Sequence, residues 1–122
     1  MPVTTPEQRS EWAALTVRLS ADHAGHDVTI ELLDAEGGDS SLVDRLPFDS
    51  ISYDHKDDVV VIGVGGRSPR YPVVLRHLIH HPQEILFDLI PQGAALKITD
   101  PSGTTTLVSL VRRAGHQGGE DA

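Results

Sequence analysis

Apolar and polar residues alternate along most of the chain after residue 26, which is the pattern of strands that bury one face. In the run DVTIELLD, which begins at Asp27, Val28, Ile30 and Leu32 share one side. Further alternating or apolar runs with strand-forming residues lie at 41–47, 50–54, 59–64, 85–89, 95–99 and 105–111. Because turn-forming residues separate these runs at short spacing, the pattern predicts antiparallel hairpins.

The connections between the predicted strands follow from their residues. Pro47 is expected to end the second strand, since proline cannot donate to a ladder of backbone hydrogen bonds. The uninterrupted apolar run 59–62 predicts a central strand covered on both faces. Glycine, proline and aspartate place tight hairpin turns and longer loops, the turns at 55–58 and 100–103 and the loops at 35–41 and 65–72.

The stretch VVLRHLIHH, residues 73–81, fits two periodicities. As a helix it would align Val74 with Leu78, and as a strand it would place Leu75, His77 and Ile79 on one face. Its nine residues are few for a helix, its residues are β-branched or leucine, and its neighbours are strands. We therefore predict a strand.

The start of the chain has the features of a helix with a defined first turn. Thr5 is a suitable N-cap, Pro6 fits the first helical position and Gln8 follows three residues after the cap. Trp12, Leu15 and Leu19 then recur at spacings of three and four, which puts them on one face. These residues predict a helix over residues 6–23 that packs on the strands.

Together these elements predict an α+β domain that is mostly β. One N-terminal helix is expected to pack on a strongly curved antiparallel sheet or small barrel of about six or seven strands. We assign this domain to residues 1–113. The remaining residues 114–122 carry no apolar pattern and are predicted to form a disordered tail.

Composition limits the cellular compartment and the classes of partner expected for this domain. The chain has no cysteine, which excludes disulfides and thiolate metal sites and is typical of the cytoplasm. The N-terminus shows no signal peptide and no apolar run is long enough to span a membrane. A net charge of -8 argues against general binding of nucleic acid or anionic lipid.

The charges are segregated along the chain. Eleven acidic residues lie between Asp22 and Asp58, whereas residues 59–83 contain none. The acid-free stretch holds a basic segment, which we define as Arg67, Arg70, Arg76, His77, His80 and His81. If these side chains meet on one surface, they form a pH-sensitive patch for an acidic partner. The alternative is that folding scatters them over different faces.

Residue patterns for catalysis, metals or phosphates are weak. On a strand, His77 and His81 would be about 13 Å apart, too far to share one ion. Only a helical form of 73–81 would bring His77, His80 or His81, and Glu84 together. The run 63–70 holds glycines and arginines but lacks the residues of a phosphate loop. No cofactor, metal ligand or catalytic residue is therefore assigned.

Three stretches in this order resemble a bacterial family of small proteins that is classed only as a domain of unknown function. They are SISYDHKDDVVVIGV from Ser50, RHLIHHPQEI from Arg76 and LKITDPSGTTTLVSL from Leu96, and they follow a helix that carries a tryptophan. The resemblance covers about residues 11–111. It implies a small, soluble bacterial protein and assigns no mechanism or catalytic residues.

The function that fits these observations best is a non-catalytic accessory or binding module that uses the basic segment. Its expected partner is an acidic protein or a second copy of the chain, whose acidic stretch 22–58 would make a homodimer possible. A small enzyme or ligand carrier with a pocket between helix and sheet is the alternative. A buried pocket with a titratable pair would favour that alternative, and a flat arginine patch would favour the module.

Overall fold

The structure is a computed structural model that describes residues 5–68 and 71–113, with side chains for 5–65 and 75–113. One helix precedes seven strands. They are α1 (Pro6–Asp22), β1 (Asp27–Leu33), β2 (Asp39–Asp54), β3 (Val59–Ser68), β4 (Tyr71–His80), β5 (Glu84–Ile90), β6 (Gly93–Thr99) and β7 (Thr105–Val111). Within the described residues, α1 lacks the length and hydropathy of a bilayer-crossing helix. The predicted tail at 114–122 lies outside the described residues.

Helix α1 begins and packs as its residues predict. The Oγ1 of Thr5 accepts a hydrogen bond from the backbone N–H of Gln8 at 3.0 Å, which satisfies one of the free amides of the first turn. Trp12 and Leu19 are 4% and 2% exposed, and Leu15 packs against the same core. The predicted docking of this face on the sheet is therefore confirmed.

All seven strands join one antiparallel sheet in the order β4-β3-β2-β1-β7-β6-β5. Three tight hairpins follow the predicted pattern, while β1 pairs with β7, the last of the described strands. Strand β4 is confirmed as a strand, and its ladder with β3 pairs Val59 with His80 and Ile62 with His77. The mostly β fold with one N-terminal helix is thus confirmed.

The prediction of a strongly curved sheet or small barrel is wrong, because the sheet is open and not strongly curled. Closure would require a ladder between β4 and β5, which form the two edges. At the link between them, the N–H of His81 donates to Asp58 and the N–H of Gln83 donates to Thr99. The link is thereby bonded to β6 on one side and to the turn before β3 on the other, instead of closing a hairpin.

Strand β2 is longer than the sequence predicts, because it continues through Pro47. Its first part pairs with β1 as far as Pro47, and its second part pairs with β3 from Phe48 onward. Pro47 therefore lies at the changeover between two ladders, where a missing N–H is tolerated. The predicted loop at 65–72 is also too long, since β3 extends to Ser68 and β4 starts at Tyr71.

Helix α1 covers the edge of β2 that β1 leaves free. The Ser20 hydroxyl donates to the backbone carbonyl of Ile51 at 2.7 Å and accepts from the N–H of the same residue at 2.9 Å. Nearby, the ring of Trp12 meets the ring of Tyr53 edge-on, with centroids 5.5 Å apart. A side chain of the helix thus takes the place of a neighbouring strand at Ile51.

The core lies on the inner faces of the strands and is aliphatic. Val60, Ile62 and Val64 of β3 are fully buried, and Val59 on the opposite face is 7% exposed. The predicted burial of the apolar run is confirmed on the inner face, but Val61 on the other face is only partly buried. The predicted central position is wrong, because β3 is next to the edge strand β4.

Candidate functional site

Three residues of the predicted basic segment lie on the edge strand β4, and a fourth directly follows it. They do not share one face. Arg76 and His80 lie on the outer face and are exposed, whereas His77 lies on the inner face and is half-buried. His81 follows the strand, at a residue with φ of 55°. Arg70 lies outside the described residues, as does the side chain of Arg67. The use of these six residues in binding stays a prediction.

The outer face of β4 presents a strip of three side chains, Arg76, Leu78 and His80, which we call the β4 strip. Leu78 is 46% exposed, which is unusual for a leucine on a strand between two polar neighbours. Arg76 and His80 are four residues apart, or about 13 Å along the strand. The strip therefore offers two separated basic groups on either side of an apolar contact.

His77 points to the inside, where it meets a different environment. Its Nε2 is buried and has no hydrogen-bond partner among the described residues. Burial lowers the pKa of His77 below its ordinary value, which favours the neutral imidazole. Beside it, a cavity of about 360 Å³ lies between β4, the end of β1 and the turn from β6 to β7. His77 is therefore not a source of positive charge for the β4 strip.

His81 belongs to a cluster around Asp58 that sequence reasoning missed. Its Nδ1 donates to Asp58 Oδ2 at 3.2 Å, and the hydroxyl of Tyr53 donates to Asp58 Oδ1 at 2.6 Å. A guanidinium nitrogen of Arg9 is 3.8 Å from the same carboxylate. The pairing of β3 with β4 would have indicated this contact, because Val59 pairs with His80. The residues next to that pair, Asp58 and His81, are therefore neighbours.

The contacts within the Asp58 cluster favour an ionised Asp58 and a protonated Tyr53. Burial disfavours the charge of Asp58, but hydrogen bonds from Tyr53 and His81, with the charge of Arg9, outweigh it and lower the pKa of the carboxyl. Burial and the hydrogen bond to Asp58 raise the pKa of Tyr53 to about 12. Asp58 and His81 both adopt positive φ, at 54° and 55°. The cluster fastens the turn after β2 to the end of β4.

A second cavity, of about 380 Å³, lies where the start of α1 meets the turn between β2 and β3. Pro6, Arg9, Ser10 and His55 line it. The cavity lies beside the helix, where the enzyme or carrier alternative places its pocket. Its two titratable residues are both bases, and neither is buried.

A further histidine pair lies at the opposite end of α1. The rings of His23 and His26 meet edge-on with centroids 4.9 Å apart. Burial and the neighbouring His23 lower the pKa of His26. In the described part of the chain, no three His, Cys, Asp or Glu side chains are grouped so that they could hold a metal ion.

The other edge strand, β5, is exposed along most of its length. Leu86, Phe87 and Leu89 are 48%, 39% and 68% exposed, and Glu84 and Asp88 are exposed beside them. Large exposed apolar side chains on an edge strand are typical of an interaction surface. The two edges of the sheet thus differ in charge, with bases on β4 and acids on β5.

Comparison with known proteins identifies the family of the chain but assigns no activity to it. It is 28% identical over 103 residues to an uncharacterised protein of Aquifex aeolicus (strain VF5), covering 84% of this chain and 86% of the relative. No solved structure matches the chain. The model of DUF5335, a family of unknown function, matches residues 4–117. Since this match spans nearly the whole chain, the protein belongs to the DUF5335 family.

Proposed function

We propose that the protein is a non-catalytic accessory or binding module that contacts an acidic partner through the β4 strip. The observation that carries this proposal is the exposure of Arg76 and His80 on an edge strand, on either side of the half-exposed Leu78. Basic groups around an apolar side chain can attract a carboxylate-bearing partner and then bury a hydrophobic contact.

The surroundings of the β4 strip support this proposal. The chain carries a net charge of -8, so the strip is a local exception on an acidic protein. Arg67 and Arg70 belong to the same proposal by sequence. His77, which faces inward, and His81, which is bonded to Asp58, contribute less.

Poly-L-glutamate is a suitable probe, because all of its side chains are carboxylates. We expect it to bind the full-length protein and to shift the amide NMR signals of β4. The binding should weaken at higher salt, since at physiological ionic strength charges are screened over about 8 Å. Binding should strengthen from about pH 7.5 to 6, since histidine side chains as a class titrate near pH 6.5.

The specificity of this binding requires a matched pair of variants. The double variant Arg76→Glu, His80→Glu should bind poly-L-glutamate at least several-fold more weakly than the wild type. The control Lys97→Glu, His55→Glu also replaces one cation and one histidine by glutamate, at exposed residues outside β4, and should retain binding. Equal losses in both variants would attribute the binding to net charge and would contradict the proposal, as would an absence of binding at low salt.

A further inference from the structure

The free edge of β4 presents main-chain hydrogen-bonding groups as well as side chains. At the end of the strand, the N–H of His81 donates to the carbonyl of Asp58 at 2.8 Å, on the side of β3. Because main-chain groups alternate in direction along a strand, those of Arg76, Leu78 and His80 point away from β3. Among the described residues, no strand pairs with β4 on that side. The β4 strip therefore offers a partner both its side chains and its main-chain groups.

The cavity of about 360 Å³ beside His77 lies along this edge. Four successive residues of β4, 77–80, line it, and because successive side chains lie on opposite faces, the cavity is at the edge between the faces. Leu32 of β1, Thr106 of β7 and the turn that begins at Asp100 form the far wall. One water occupies about 30 Å³ in the liquid, so the cavity has room for side chains. The free edge of β4 is thus one wall of a groove.

A strand added to β4 would place its alternate side chains in different surroundings. Those opposite the β4 strip would lie on the outer face, next to the two basic groups. Those between them would lie on the inner face, at the cavity, near Leu32 and Ile79. The carboxylate of Asp100 also lines the cavity, where its Oδ1 accepts hydrogen bonds from the N–H groups of Ser102 and Thr104. The inner positions therefore suit apolar side chains and disfavour acids, whereas the outer positions suit acids.

We infer that this groove binds an extended peptide with three apolar residues between two acids, which adds to β4 as an antiparallel strand. The acids lie opposite Arg76 and His80, and the central apolar residue lies opposite Leu78. Opposite charges and apolar pairs directly across a ladder stabilise it. Main-chain hydrogen bonds supply affinity, and the alternate side chains supply specificity. The inference rests on the proposed function, because it specifies the acidic partner of the β4 strip and how that partner binds.

The described edges of a second copy match this groove poorly. Two-fold pairing of β4 with β4 would set Arg76 opposite His80, which places two bases together. In β5, the residues whose main-chain groups point to the free edge are Ile85, Phe87 and Leu89, because their neighbours along the strand bond to β6. Edge β5 thus has apolar residues where the β4 strip requires acids. A peptide segment of another protein is therefore the occupant that fits.

Fluorescence anisotropy of labelled peptides with the full-length protein tests strand addition. The peptide has the core EVLVE between glycine–serine flanks, and in this register the N–H groups of its leucine and glutamates point to β4. We expect this peptide to bind. N-methylation of the leucine should weaken binding about tenfold, because it removes one main-chain donor and places a methyl group between the strands. N-methylation of the first valine, whose N–H points away from β4, should leave binding nearly unchanged.

A second peptide and two protein variants test the side-chain contacts. The isomeric core VELEV moves the acids to the inner face and should bind several-fold more weakly than EVLVE. The double variant Arg76→Glu, His80→Glu should lose binding of EVLVE, whereas the control Lys97→Glu, His55→Glu should retain it. Circular dichroism checks that both variants are folded.

Strand addition is overturned if EVLVE does not bind, if the two methylated peptides bind equally, or if methylated valine causes the greater loss. Self-association of the wild type that the double variant abolishes in sedimentation would also overturn it, because the occupant would then be a second copy. In each case, poly-L-glutamate binding that the double variant weakens and the control retains would leave the proposed function in place. Poly-L-glutamate binding that both variants retain would reject the proposed function as well.

Discussion

Replacing Ser20 with alanine tests whether α1 serves as the cover of the β2 edge. The hydroxyl of Ser20 makes two hydrogen bonds to Ile51, one to the carbonyl and one from the N–H, at 2.7 and 2.9 Å. Ser20→Ala leaves both backbone groups without this partner in a part-buried position. The change removes no apolar contact of comparable size, so its effect reports on the hydrogen bonds.

The expected magnitude follows from three contributions. A typical intramolecular hydrogen bond adds about 1 kcal/mol net, so two bonds add roughly 2 kcal/mol. Alanine is the better helix former by about 0.5 kcal/mol, which offsets part of the loss. Water can reach a part-buried site and recover some of the remainder. We expect Ser20→Ala to lower the free energy of unfolding by about 1–2 kcal/mol.

Urea unfolding of Ser20→Ala and of the control Ser10→Ala measures this difference. Ser10 is an exposed residue of the same helix, so its replacement should be neutral or slightly stabilising. The transition slope should be unchanged, because the same surface is exposed on unfolding. If the two variants have the same stability, the Ser20 contacts do not hold the helix to β2 and the reasoning is refuted.

Three further expectations concern the same end of the sheet. Trp12→Ala should lower the free energy of unfolding by about 3–5 kcal/mol, since the ring is 4% exposed and meets Tyr53; a loss below ~1 kcal/mol in denaturant would contradict its burial. Tyr53, with its pKa raised to about 12, contributes stability that is complete below about pH 10 and lost as the pH rises through its folded pKa. Unfolding of Tyr53→Phe should therefore show a flatter alkaline decline than the wild type, and identical declines would count against this contribution. Asp58, with its lowered pKa, contributes stability above about pH 4 that is lost as the pH falls through the folded pKa. Asp58→Asn should be about 1.5–3 kcal/mol less stable than the wild type near neutral pH, and its stability should fall less steeply toward acid pH. An acid decline as steep as that of the wild type would show that the Asp58 cluster is not its source.

Local patterns were sufficient for the elements but not for the outline of the sheet. The N-cap at Thr5 and the alternation around Ile30 are encoded within a few residues, and both are as predicted. The continuation of β2 through Pro47 depends on where β1 stops pairing and β3 starts. The strands that flank β2 in space set this changeover. Proline alone predicts the end of a strand, but at this position no ladder needs its missing N–H.

The candidate site shows the same division. Alternation predicted that His77 and His80 lie on opposite faces of a strand, which is how they are placed. It did not predict that His81 bonds to Asp58, because 23 residues separate the two and both have positive φ.

The pairing of β1 with β7 limits the order in which the sheet can assemble during synthesis. β1 lies in the interior of the sheet, yet its neighbour β7 ends at Val111, close to the end of the chain. During synthesis at about 5–20 residues per second, β1 waits on the order of 4–16 s for this neighbour. The nascent chain therefore leaves the ribosome with one side of β1 open until β7 has been synthesised, so β7 is the last of the described strands to be added.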